Sequence, residues 1–344
     1  MKATYFKHQL QLKRPSGTSR GVLTYKDTWF IQLEDNKQRG IGECGMFKGL
    51  SSDDRPDFET KLAWTCKNIH LGLEALLTEL IAFPSIQFGL EMAFLSITRK
   101  NKFELFPSNF TKGKDSIPIN GLIWMGNLAF MKQQINAKLA AGFSCIKLKI
   151  GAIDFDKELD LIKSIRSEFA ADTIEIRVDA NGAFKPNQAL EKLKRLSDYN
   201  LHSIEQPIPQ GHIHEMAQLC SKTPLPIALD EELIGVFSVT NKQLLLQTIN
   251  PHYIILKPTL VGGFKGSQEW IDAAKSNKID WWVTSALESN IGLNAIAQWT
   301  YTLKNPLPQG LGTGALFTNN VQSPLMVDSG QLLYDLKTMW NLKF

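Results

Sequence analysis

The sequence is short of everything that marks a secreted, membrane-spanning or nucleic-acid-binding chain. It has only four cysteines, Cys44, Cys66, Cys145 and Cys220, far apart and without a C-x-x-C pair. A disulfide framework is therefore not expected; separate thiols in a reducing cytoplasm are. No apolar run reaches the ~20 residues that a bilayer span needs. The conspicuous uncharged stretch, 116–131, is interrupted by Pro118, Asn120 and Gly121. The first seven residues already carry charge and no apolar segment follows, so a secretory leader is not expected either. Charge of one sign is also missing. The 38 basic and 34 acidic residues leave +4, mixed along 344 residues. That is a solvated surface, not the basic stripe of a nucleic-acid binder. Low-complexity segments and repeats of residue identity are absent as well.

What is present is a core: 43% of residues are hydrophobic and 21% charged, close to the globular average. The length predicts two domains, or one large barrel with an attachment. The first hundred residues read as an α+β unit. Strands are expected at 3–14, 21–34 and 39–44, with Glu34-Asp35-Asn36 supplying a turn, and helices over 57–80 and 86–100. Residues 101–116 lose periodicity and read as a linker. Beyond it, short apolar runs alternate with helix-length amphipathic stretches. Strands are expected at 144–149, 174–179, 201–205, 226–230, 252–257, 280–285 and near 308–312; helices fit 154–170, 186–198, 211–222 and 264–276. That alternation implies parallel strands joined by crossover helices.

Each expected strand ends in a residue that an apolar core would reject: Lys149, Asp179, Glu205, Asp230, Lys257 and Ser285. Successive gaps are 30, 26, 25, 27 and 28 residues, the length of one βα unit. These residues should share one end of the sheet, and in a closed barrel they meet at the C-terminal mouth, where barrel active sites are built. Strand alternation puts Lys147 on the face of Lys149, and Arg177 on that of Asp179. A single carboxylate after a strand is commonly just a helix N-cap. Three on consecutive strands would repel one another unless a cation bound between them, and such oxygen donors suit Mg²⁺. A desolvated lysine near another cation is a candidate base.

The ordered pattern K-x-K at 147–149, D-A-N at 179–181, E-Q-P at 205–207, D-E at 230–231 and L-K-P at 256–258 resembles the enolase superfamily, in its muconate-lactonizing branch. The resemblance implies a modified (β/α)7β barrel over 116–317. An α+β capping domain would comprise 1–115 and be rejoined by about 318–344. Within the branch, SGTSRGVLTYKDTW (16–29) and TSALESNIGLNAIAQW (284–299) resemble the o-succinylbenzoate synthases, dehydratases of menaquinone synthesis. The first would form a loop that closes over substrate. The resemblance further implies Mg²⁺, or equally Mn²⁺, held by Asp179, Glu205 and Asp230. Lys149 would remove the proton α to a substrate carboxylate, giving an enediolate, and Lys257 would face the other side of the ring. Lys147 would neighbour Lys149. Arg177 and Asn181 are candidates for touching substrate or for supporting the residues that do, Ser285 for holding the succinyl carboxylate, and Glu231 for orienting a neighbour.

The partner expected is thus a small anionic carboxylate, with neither nucleic acid nor membrane; the oligomeric state stays open. Two opposed lysines also suit N-acylamino-acid racemisation or dipeptide epimerisation on the same scaffold. The last barrel region, GLGTGALFTNN (310–320), has no acid to hold a substrate ammonium. A non-catalytic binding barrel would have eroded this charged set, which stands intact. His212 and His214 open a helix, where i and i+2 do not face each other, so they do not read as an H-x-H metal site.

Overall fold

The computed structural model describes residues 1–18, 21–124 and 126–342. Strands β1 (Lys2–Thr18), β2 (Gly21–Asp35) and β3 (Gln38–Cys44) form an antiparallel sheet in that order. The segment expected as a closing loop, 16–29, belongs largely to the two long strands of the β1–β2 hairpin, and its positions 19 and 20 lie outside the described residues. The β2–β3 turn falls one residue later than expected. Asn36 and Lys37 both have positive φ, 46° and 73°, as a two-residue hairpin turn requires.

The helix expected over 57–80 is two helices, α1 (Phe58–Lys67) and α2 (Leu73–Glu79), separated by a 3-10 turn and by Gly72 at φ 81°. A glycine in that backbone region ends one helix and starts the next; periodicity alone reads through it. Next comes α3 (Pro84–Ile97), buried along most of its length against β3. The approach is backbone on backbone: a Cβ on Gly42 would sit 1.9 Å from the Gly89 carbonyl oxygen.

After β4 (Ile117–Pro118) the parallel sheet begins with β5 (Gly121–Ile123), which the sequence reading missed. Three residues inside an uncharged stretch leave no periodic signal. Then follow α4 (Leu128–Ala140), β6 (Cys145–Lys149), α5 (Phe155–Glu168), β7 (Glu175–Asp179), α6 (Pro186–Ser197), β8 (Ser203–Glu205), α7 (Ile213–Lys222), β9 (Ile227–Leu229), α8 (Val239–Ile249) and β10 (Tyr253–Leu256). The run ends with α9 (Pro258–Val261), α10 (Gly263–Ser276), β11 (Asp280–Val283) and α11 (Asn290–Thr302). The sheet runs β5 to β11 in chain order. Gln309 pairs with Ile119 and Gly310 with Thr284, both parallel, so the segment expected as a strand near 308–312 joins the two edges of the curl. The tail, β12 (Leu325–Asp328) and β13 (Gln331–Tyr334), pairs with β4. Beside it, Phe317 bridges Leu12 of β1, and Trp340 stacks on Phe103 at 4.1 Å. No helix among the described residues is long and apolar enough to cross a membrane.

Two buried carboxylates of the N-terminal unit hold helices of the barrel. Glu91 on α3 accepts hydrogen bonds from Phe264 N (2.5 Å) and Lys265 N (2.9 Å), serving the first turn of α10, which has no side-chain cap of its own. Gly263, at φ 74°, leaves the space: a Cβ there would lie 1.9 Å from Glu91 Oε2. Burial pushes the Glu91 carboxyl up to about 7, against those two N–H donors. An acid with its folded pKa above its unfolded value of about 4.3 keeps a proton that the unfolded chain has lost, so it favours the fold less as pH rises between the two values. The Tm of the wild type, relative to Glu91→Gln, is therefore expected to fall by several degrees from pH 4.5 to pH 8; parallel thermal-unfolding curves would refute this.

Candidate active site

The register of the parallel strands sets the first contacts. Lys149 stands opposite Asp179, and Asp179 opposite Glu205. Asp230 and Lys257 each follow the last residue of β9 and β10, so all five ends converge on one mouth. The chain turns sharply there. Asn181 and Gln206 have positive φ, 43° and 39°, and Asn181 N donates 3.0 Å to Asp179 Oδ1. Gln206 donates through Nε2 to Glu232 (3.0 Å) and accepts through Oε1 from Asp230 N (3.3 Å), tying the end of β8 to that of β9.

The three carboxylates are almost fully buried, Asp179 at 0% and Glu205 and Asp230 at 2% exposure. Burial of that degree is expensive for an ionised acid unless a cation answers it. Lys147 Nζ lies 2.5 Å from Glu205 Oε2 and 2.9 Å from Asp179 Oδ2; Lys149 Nζ lies 2.6 Å from Asp179 Oδ2 and 2.6 Å from Asn181 Oδ1. Lys257 pairs with Asp230. Burial alone would raise the Asp179 carboxyl, yet Lys147 and Lys149 hold it far below the usual range. Asp230 is likewise lowered by Lys257 against its burial. Glu205 goes the other way: burial and repulsion from Asp179 lift it well above a normal glutamate, because it shares its cation with a stronger competitor. Burial opposes the charge of Lys147 and Lys257, and the facing carboxylates still raise both.

Glu205 Oε1 is buried without a hydrogen-bond partner. Among the described residues no three acid, histidine or cysteine side chains close around one point; Lys147 occupies the space between Asp179 and Glu205. The donor set nevertheless fits a hard divalent cation: three carboxylates, all oxygen, one oxygen unsatisfied.

The remaining expected residues separate. Lys147, Lys149, Lys257, Asn181 and Ser285 all line one pocket of about 350 Å³. Asn181 Nδ2 donates 2.9 Å to Glu231 Oε1, which fixes its amide, and Ser285 Oγ lies 2.6 Å from Thr313 Oγ1. Arg177 does not line the pocket. It is 1% exposed and engages Glu175 (2.6 Å), the Pro308 carbonyl (2.8 Å) and the Trp282 face (4.2 Å). The strand period predicts the face but not the depth: two residues before Asp179, Arg177 is one layer down in the barrel. The sequence reading missed the apolar wall, Leu122, Trp124, Leu287 and Leu316, which comes from three separate places in the chain. Leu287 lay in 284–299, Leu316 in 310–320, and Leu122 and Trp124 in the uncharged stretch 116–131, but none of these was read as a pocket wall.

Residues 131–335 match the family model described as enolase C-terminal domain-like, which defines the class of this fold and site. The o-succinylbenzoate synthase of Desulfotalea psychrophila is 47% identical over 96% of this chain and 98% of that protein. The crystal structure of MenC from the same organism superposes with a TM-score of 0.87 at 45% identity, over 97% of this chain and 99% of that one. A dipeptide epimerase from Enterococcus faecalis, solved with Mg and L-Leu-L-Tyr, shares the fold at TM-score 0.82 and 17% identity, over 96% of each chain. The chain belongs to the enolase superfamily, in its o-succinylbenzoate synthase family.

Arg177→Met is expected to lower stability by about 3 kcal/mol, through a buried ion pair and a charged hydrogen bond, and to leave the KM for substrate unchanged. Thermal unfolding and steady-state kinetics on the same preparation check it; a raised KM with intact stability would return Arg177 to the substrate.

Proposed function

We propose that the chain catalyses syn-dehydration of 2-succinyl-6-hydroxy-2,4-cyclohexadiene-1-carboxylate to o-succinylbenzoate, as a carbon–oxygen lyase of menaquinone synthesis in the cytoplasm. The observation that carries the choice of reaction is the 47% identity to the Desulfotalea psychrophila synthase over nearly both full lengths. The reading divides the chain into a cap, 1–115 with about 318–344, and a barrel, 116–317.

In this reading Lys149, as the free amine, takes the proton from C1, α to the ring carboxylate. The C6–O bond then breaks, and Lys149 returns that proton to the departing hydroxyl on the same face, releasing water. Asn181 holds the Lys149 ammonium from one side, at 2.6 Å, and is itself aimed by Glu231. Lys257 presents a cation to the opposite ring face, fixed there by Asp230. Lys147 bridges Asp179 and Glu205 and helps to keep Asp179 ionised. A divalent cation on Asp179, Glu205 and Asp230, Mg²⁺ or Mn²⁺, supplies positive charge against the substrate carboxylate and the charge that builds on it as the proton leaves. Ser285 and the apolar wall receive the succinyl arm and the ring.

Lys149→Ala is expected to lower kcat at least about 100-fold, the usual scale for losing a general acid–base. Full activity in that variant would sink the base assignment, and no product from the wild type would sink the synthase reading. Exchange of the α-proton in D₂O with both enantiomers of an N-acylamino acid, and no dehydration, would make it a racemase instead.

Saturating Mg²⁺ is expected to stabilise the wild type by about 2–3 kcal/mol at a hundredfold excess over its Kd, and Glu205→Gln to lose most of that gain. Differential scanning calorimetry with and without the ion measures both; an equal gain in the variant would remove Glu205 from the ligand set.

A further inference from the structure

One buried charge takes no part in the proposed chemistry. Lys26, on the cap strand β2, is 4% exposed, and its Nζ has no hydrogen-bond partner among the described residues. It does not line the pocket. Two fully buried glutamates face it, Glu43 at the end of β3 and Glu288 in the loop after β11. The packing is close: a Cβ added to Gly45 would meet Lys26 Nζ at 3.2 Å, Thr259 Cγ2 at 3.4 Å and Glu288 Cγ at 3.5 Å.

Each glutamate holds a piece of the barrel mouth. Glu43 accepts from Thr28 Oγ1 (2.9 Å), from Ser289 N (2.8 Å) and Oγ (2.5 Å), and from Gly292 N (2.8 Å), so a cap residue serves the first turn of α11. Glu288 accepts from Ala286 N at 2.8 Å and from Thr259 Oγ1, two residues beyond Lys257. Between them runs Ser285-Ala286-Leu287, a wall of the pocket, with Leu287 at φ 60°, a backbone region costly for a branched side chain. The loop needs an external hold. Burial pushes the Lys26 ammonium down against the pull of Glu43 and Glu288, and pushes Glu288 up against the pull of Lys26. With two acids and one lysine the cluster is already one negative charge in excess, so removing the lysine leaves two buried carboxylates facing each other.

We propose that Lys26 is a positioning residue: by its attraction to the nearby Glu43 and Glu288 it locks the β1–β2 hairpin onto the barrel and fixes the Ser285–Leu287 wall in its substrate-binding shape. This deepens the reading of the site as a synthase and rests on it for the kinetic readout only.

The test is a charge cycle. Lys26→Met is expected to raise KM about tenfold while kcat falls less than about threefold, because Lys26 touches no reacting group. Amide hydrogen exchange over 285–289, measured on the protein without substrate, is expected to quicken about tenfold or more as the loop loses its hold. Lys26→Arg, which keeps the charge, should restore most of both. Lys26→Met combined with Glu288→Gln returns the cluster to its original net charge and should recover KM to within about threefold of wild type, a coupling that mere loss of stability does not produce. An unchanged KM and unchanged exchange in Lys26→Met, beside an active wild type, overturn the proposal; so does a double variant whose defects simply add. If Lys26→Met proves insoluble, a soluble double variant supports the proposal and an insoluble one overturns it. A wild type without dehydratase activity overturns the synthase reading instead, and the exchange experiment still decides the role of Lys26.

Discussion

Three carboxylates buried on adjacent strand ends cannot coexist as anions without cations among them, and that constraint organises this molecule. Asp179, Glu205 and Asp230 are at most 2% exposed, and three lysines from flanking strands reach them. The arrangement is not neutral in effect. Asp179 draws on both Lys147 and Lys149 and ionises fully, whereas Glu205 is left with a share of one lysine and an unpaired oxygen. A site with its acids matched one-to-one by lysines would be closed electrostatically. This one has residual demand for positive charge at Glu205, which is where a divalent ion gains most.

The same physics recurs at the joint between the N-terminal unit and the barrel. Glu43 and Glu91 are buried acids of the first unit, and both spend their hydrogen-bonding capacity on the first turns of barrel helices, α11 and α10. A helix N-terminus carries unsatisfied N–H groups and partial positive charge, so it solvates a buried carboxylate without a formal counter-ion. The fit needs bare backbone at the contact, and Gly263 provides it beside Glu91. These contacts orient the sheet and α3 against the mouth. The cap is held by polar chemistry as specific as that of the site it covers.

What was legible in the sequence follows from what a parallel barrel repeats. One βα unit has a nearly constant length, so Lys149, Asp179, Glu205, Asp230 and Lys257 announce themselves by spacing, and alternation adds Lys147. The same rule puts Arg177 on the face of Asp179 yet does not bring it into the pocket, since period two gives a side chain's face and is silent about its height along the barrel axis. Features made by single residues were harder. Gly72 splits a helix whose apolar period runs on without a break, and β5 is too short to show a period at all. The pocket wall was not legible because Leu122, Trp124, Leu287 and Leu316 become neighbours only when three distant segments meet. Lys26 was not singled out for a related reason: the chemistry around it depends on Glu288, 262 positions away, arriving near it.

That division of labour bears on how such a scaffold changes its substrate. The charged floor comes from strand ends whose positions are set by sheet register, and moving any one of them disturbs a neighbour that shares its cation. The apolar wall comes from the edge strand β5 and the residue just beyond it, from the loop after β11 and from the stretch after the segment that joins the barrel edges, with polar anchors such as Glu288 and the Ser285–Thr313 hydroxyl pair. Altering the wall shifts the shape of the pocket without touching the charged floor. A lineage can therefore exchange one carboxylate substrate for another at the wall while the floor stays as it is. Dipeptide epimerase and synthase sharing one fold at 17% identity is the outcome that such separation allows.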